Sequence, residues 1–197
     1  MPTISYIVNQ IFNSVTYILP TGEDKECWLV DCGDVEKVIN QGWKVIGVLL
    51  THSHYDHIYG LNKLVENFPS VWVYTNAAGK EGLLNPRWNF SRYHTDVEDF
   101  VFEYPNRVKV IAEGELIFLK DNLKLSALMV PGHEPSCVAY MSNDFIFTGD
   151  AYIPGVKVVD TFPRSNKNLA KSSLELLRRL EEQGKNIFPG HWIEKEC

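Results

Sequence analysis

The chain has 197 residues, enough for one compact domain with a substantial core. Hydrophobic residues make up 45% and charged residues 22%, which excludes a disordered chain. A formal charge of −6 with a pI near 5.5 argues against a nucleic-acid surface, which is normally basic.

The first residues, MPTISYIVNQIFNS, lack a cationic stretch followed by an apolar run, so no signal peptide is expected. No apolar stretch approaches membrane-spanning length. Cys27, Cys32, Cys137 and Cys197 form no CxxC pair, so a metal site built on thiolates is not expected. A cytoplasmic setting with free cysteines follows as the expectation.

In chain order, residues 3–8 and 14–19 are rich in Ile, Val and Tyr and predict two short strands. Pro20-Thr21-Gly22 predicts a turn, and residues 27–31 the next strand. Asp34 is the candidate cap of a short helix to about Asn40. The unbroken apolar run at 45–50 predicts a strand buried on both faces. After a histidine-rich loop, Ile58, Leu61, Leu64, Val65 and Phe68 recur at helical spacing. Residues 71–74 predict another strand.

Residues 85–107 are aromatic, charged and poorly periodic, the pattern of an insertion that lies over something else. Five strands follow, at 108–112, 115–119, 123–130, 137–141 and 145–148, then a helix at 169–180 and a last strand at 186–188. Two mixed sheets packed face to face with helices outside satisfy this order in a single domain.

The chemistry is concentrated in Thr51-His52-Ser53-His54-Tyr55-Asp56-His57. On extended chain, His52 and His54 point to the same side. Asp56 and His57 come as the backbone turns toward the helix, so one loop can serve two metal ions. Packing gives no reason to gather three His and an Asp, and burying them unpaired would be costly. Further candidates follow predicted strands and a glycine: His133 in Pro131-Gly132-His133, Asp150 in Thr148-Gly149-Asp150, and His191 in Pro189-Gly190-His191. Any one alone reads more simply as an ordinary satisfied residue, and so does His94. Imidazole and carboxylate donors suit zinc, iron or manganese.

HSHYDH followed by PGH, TGD and a final PGH resembles the metallo-β-lactamase superfamily, in its glyoxalase II-like branch. The resemblance implies a four-layer αββα sandwich of the α/β (α+β) class. It also implies two zinc ions, with iron or manganese as alternatives. His52, His54 and His133 would bind the first and Asp56, His57 and His191 the second, with Asp150 bridging. By the same resemblance a hydroxide activated by the metals hydrolyses a small thioester or ester, and Asp56 doubles as its proton acceptor. No Ser or Cys nucleophile is then needed; Cys32 and Cys137 read as packing residues.

True metallo-β-lactamases carry Cys or Ser where Asp150 stands here, and nucleases of the superfamily carry an extra nucleic-acid module. Glyoxalase II enzymes continue past the last metal histidine into a helical domain, whereas only residues 192–197 follow His191 here. The family segment PGHTxGS is altered too, to Pro131-Gly132-His133-Glu134-Pro135-Ser136. Chemistry is therefore expected to carry over better than substrate. Residues 85–107 are either a pocket wall, through Trp88 and Tyr93, or a packed surface excursion. Tyr55, Tyr152, Lys157 and Arg164 are the other candidate substrate contacts; for Lys157 and Arg164, solvated loop charges are the plainer alternative. The expected partner is a small molecule, not nucleic acid or membrane, and a homo-oligomer stays open. Rival functions are a mononuclear iron persulfide dioxygenase, a lactonase or phosphodiesterase, and an idle metal-stabilised binding protein.

Overall fold

The computed structural model describes residues 3–22, 24–120 and 123–193. A first sheet contains β1 (Ser5–Val8), β2 (Val15–Pro20), β3 (Glu26–Val30), β4 (Lys44–Leu49), β5 (Trp72–Thr75) and β6 (Val108–Val110), in that spatial order. β1–β2 and β2–β3 pair antiparallel, and β3 through β6 run parallel. α1 (Val35–Asn40), α2 (Leu61–Asn67) and α3 (Ala77–Leu83) provide the crossovers. The second sheet has the order β11 (Asn186–Pro189), β10 (Phe145–Gly149), β9 (Val138–Met141), β8 (Leu123–Met129), β7 (Leu116–Lys120). It is antiparallel except for the β10–β11 pair, whose crossover is α4 (Lys167–Glu182).

Alternation along the strands builds three apolar layers. Val15, Tyr17 and Leu19 of β2, Trp28 and Val30 of β3, and Leu49 of β4 pack between the sheets against Leu125, Val138, Tyr140, Phe145 and Phe147. The intervening Ile18, Cys27, Leu29 and Val48 face α1 and α2. On the far side, Ala139 and Ile146 of the second sheet meet Leu177, Leu174 and Leu180 of α4. The molecule is therefore the expected αββα sandwich. No helix among the described residues is long and apolar enough to cross a membrane. Cys27, Cys32 and Cys137 are buried and free. Burial pushes the Cys27 thiol up to about 12 and raises the other two as well. Cys197 lies outside the described residues.

Three local expectations change. Asp34 precedes α1 without capping it. Its carboxylate instead accepts from the Gln10 amide at 3.2 Å and from the Tyr59 hydroxyl, and pairs with Lys37 at 2.6 Å. α4 starts at Lys167, because Asn166 caps it through bonds from the Asn168 and Leu169 amides. Within residues 85–107, Phe100 and Phe102 are buried in the layer beneath α2 and α3, so this stretch is partly core.

Leu49 is fully buried at the centre of the inter-sheet layer. Leu49→Ala should cost about 2–5 kcal/mol through lost burial and the cavity left behind. Urea unfolding followed by tryptophan fluorescence measures it; a change below about 0.5 kcal/mol would mean that the layer is not close-packed there.

Candidate metal centre

Both sheets deliver donors to one edge of the sandwich. The chain leaves β4 extended through His54, then turns through a short 3₁₀ segment, Tyr55–His57. The second sheet holds this loop in place: the Val138 amide donates to Thr51 O at 2.7 Å, and the Ser53 amide to Ser136 Oγ at 3.1 Å. The Tyr55 amide donates to Asn89 O at 2.7 Å, which anchors the loop to the 85–107 stretch. His133 follows β8, Asp150 follows β10, and His191 follows β11. Gly149 ends β10 with φ +51°, so the backbone turns there in a conformation glycine favours. A Cβ on Gly190 would lie 2.3 Å from Asp150 Oδ1, so this position leaves no room for a side chain.

The structure brings all seven expected donors together. Three overlapping groups have donor atoms within 4.8 Å of one another: His52, His54 and His133; His52, His57 and Asp150; and Asp56, His57 and His191. Asp150 Oδ2 lies 3.2 Å from His191 Nε2, 3.6 Å from His133 Nε2 and 3.9 Å from His52 Nε2. Its other oxygen is 3.5 Å from His57 Nε2. The Asp56 carboxylate lies 3.2 Å from His57 Nε2 and 3.4 Å from His191 Nε2.

Burial lowers His52 well below the ordinary imidazole range and brings His54 down to about 3, with neighbouring imidazoles adding to both shifts. Both are therefore neutral rings with a lone pair to give. Burial alone would raise Asp56 and Asp150, but His57 and its neighbours outweigh it and hold both below the usual carboxylate range. At His57, burial is outweighed by Asp56, Asp150 and Asp31, which raise it above the ordinary imidazole range, the sign of a cluster negative enough to attract a cation. His52 Nε2, His54 Nε2 and Asp150 Oδ1 are buried with no hydrogen-bond partner among the described residues. Neutral imidazoles, ionised carboxylates and orphaned buried donor atoms together make a set that fits divalent metal ions.

The model of the metallo-β-lactamase superfamily matches residues 11–191. The chain belongs to the metallo-β-lactamase superfamily. Solved metallo-β-lactamase-fold structures overlay it closely. The BLEG-1 B3 metallo-β-lactamase matches with a TM-score of 0.83 at 21% identity, covering 97% of this chain and 92% of that one. TTHA1623 in a di-iron-bound form matches at 0.76 and 22% identity, covering 96% and 92%. ETHE1 from Myxococcus xanthus matches at 0.69 and 19% identity, covering 98% and 77%. At these identities the likeness concerns the fold.

The expected substrate contacts separate. Tyr55 and Tyr93 line a cavity over the donors, whereas Trp88 does not. Lys157 opens on a smaller neighbouring cavity beside His133, Asp150 and His191. Tyr152 is placed elsewhere, because its ring packs under α4 and its hydroxyl donates to Glu181 at 2.5 Å. Arg164 is also engaged: Nε lies 3.2 Å from the buried Glu134 carboxylate, and the guanidinium sits 4.3 Å over the Trp88 ring. His94, read as an ordinary residue, lies in the cavity wall.

Sequence reasoning missed Asp31. This buried carboxylate accepts from the Thr51 amide at 2.8 Å and the Thr51 hydroxyl at 2.7 Å, and lies 2.9 Å from His57 Nδ1. His133 and His191 are oriented alike, through Nδ1 bonds to Val159 O at 2.7 Å and Phe12 O at 2.9 Å. Each bond fixes a tautomer that leaves Nε2 for the site. The available signal was position: Asp31 directly follows a strand, as Asp150 does. Asp31→Asn should weaken metal binding roughly 10- to 100-fold while the fold survives. A competition titration with a chromophoric chelator checks this, and unchanged affinity would reduce Asp31 to a loop anchor.

Proposed function

We propose that the protein is a binuclear metal-dependent hydrolase of small esters or thioesters, with the chemistry of the glyoxalase II-like branch. The observation that carries this reading is the overlap of the three donor groups, with His52, His57 and Asp150 lying between two outer sets. His52, His54 and His133 would hold one ion, Asp56, His57 and His191 the other, and Asp150 would serve both. When bound, two such ions supply Lewis-acid activation of water and polarisation of a substrate carbonyl.

The chain's own groups do the rest. Asp56 stays ionised beside His57 and His191 and faces the cavity, which suits it to accept the proton of an attacking water. His52 and His57 are fully buried, which keeps bulk water out from behind the donors. Buried thiols leave no cysteine nucleophile among the described residues. The free thiols also support a reducing, cytoplasmic setting. The acidic charge supports a small-molecule partner over nucleic acid.

Zinc suits this donor set, and so do iron and manganese. A second reading, a mononuclear iron persulfide dioxygenase, draws support from the same thiolate-free set. Metal analysis with turnover separates the two. Two zinc per chain with hydrolysis of thioesters or esters favours the first; one iron with oxygen consumption favours the second. Asp150→Ala should lose the metal pair and detectable turnover together, and chelation of the native protein should be reversed by added zinc. Two metals and full activity in that variant would overturn the binuclear reading.

A further inference from the structure

The cavity over the donors has a volume of about 680 Å³. Its floor is the metal cluster, with His54, Asp56, His133, Asp150 and His191 all contributing. Its walls come from four separate segments. Phe12 stands in the β1–β2 turn, Tyr55, Phe90 and Tyr93 come from the metal loop and the 85–107 stretch, and Phe162 comes from the segment before α4. Phe90 and Phe162 lie 4.9 Å apart between ring centroids, and both sit edge-on to His54, at 4.7 and 5.5 Å. Phe12 is 68%, Tyr93 62% and Phe162 36% exposed, so much of this aromatic surface is not used for packing.

The backbone gives a second, independent indication. Phe12 and Phe90 both occupy the left-handed region, with φ +53° and +65°. For bulky side chains this conformation is costly and is found where the surroundings impose it. Here two such residues from distant segments line one cavity.

Among the described residues lining this cavity there is no lysine or arginine. Of the nearby cations, Arg164 is held by Glu134 and Trp88 and Arg92 pairs with Asp99, whereas Lys157 lines an adjoining cavity of about 150 Å³ that shares His133, Asp150, Val159 and His191 with this one. A substrate body bearing carboxylates, as in glutathione conjugates, meets no cationic side chain on these walls. An uncharged ring meets the aromatic rings of Phe12, Tyr55, Phe90, Tyr93 and Phe162.

We propose that this cavity binds an uncharged aryl group of an ester or thioester and selects against glutathione conjugates. The proposal rests on the hydrolase reading for its reaction, but not for its binding. Hydrolysis of the aryl thioester breaks the acyl–sulfur bond, with water supplying the hydroxyl of the acid and a proton to the thiol.

The test titrates the metal-loaded protein with N-benzylacetamide and with S-methylglutathione, monitored by NMR. In parallel, kcat/KM is measured for a phenylacetyl thioester of an uncharged thiol and for a lactoyl thioester of glutathione. The amide should bind at least about 10-fold tighter than the glutathione ligand, a difference of about 1.4 kcal/mol. Phe162→Ala and Phe12→Ala remove exposed rings, so folding should survive. Each should weaken amide binding roughly 2- to 10-fold with metal content unchanged. Phe162→Arg should reverse the preference toward the glutathione ligand. Equal or tighter binding of S-methylglutathione by the native protein, or unchanged amide binding in both alanine variants, overturns the proposal. If the amide binds as expected but neither thioester is cleaved, the pocket assignment stands and the hydrolase reading falls. If the glutathione thioester is the better substrate, the reverse holds.

Discussion

A carboxylate in the middle of four imidazoles organises this molecule. Asp150 is largely removed from water, and so are Asp56 and Asp31 close by. Burying such charges unpaired would cost several kcal/mol each, so the positive partners must be delivered at short range and held there. The sandwich accomplishes this with strand ends. Four strands of two different sheets stop at the same edge, and each is followed by a donor or by the loop that carries one. The close approach of Gly190 to Asp150 and the left-handed turn at Gly149 are local consequences of crowding several strand ends into one place.

Crowding also explains why so few side chains near the centre are idle. Phe12 orients His191 with its carbonyl oxygen while its ring forms part of the cavity wall. Ser14, next but one, donates to the carbonyl oxygen of Asp56 at 2.7 Å. The β1–β2 turn therefore touches donors from both sheets. Glu134, beside His133, accepts the Ser136 amide at 2.5 Å and holds Arg164, whose guanidinium in turn lies on Trp88. Ser136 is the residue whose hydroxyl supports the metal loop at Ser53. The altered segment after His133 is thus tied to Arg164 and to the metal loop.

Much of this was legible in the sequence because the strands alternate cleanly and the donors stand out. Tyr17 and Ile18 diverge to opposite layers as a period of two requires. Three histidines and an aspartate around Tyr55 have no packing explanation. What escaped notice depended on contacts between distant segments. Asp31 looks like any residue after a strand until Thr51 and His57 are brought against it. Arg164 reads as a free cation because nothing in a linear pattern says that Glu134 will hold it. Phe12 and Phe162 lie outside the aromatic stretch at 85–107, so composition points to Trp88, which does not line the cavity, and not to these rings, which do. Phe100 and Phe102, in the same stretch, turned inward to the core.

The division of the donors between the sheets has an energetic consequence. His52, His54, Asp56 and His57 follow the first sheet, whereas His133, Asp150 and His191 belong to the second. An ion gripped from both sides would act as a staple across this edge of the sandwich. Such a staple exists only in the folded chain, so its occupancy stabilises that state by mass action, by about 2.7 kcal/mol at a hundred times the dissociation constant. Against a typical total of about 5–15 kcal/mol, such an ion would supply a large share of what holds the two sheets together at this edge.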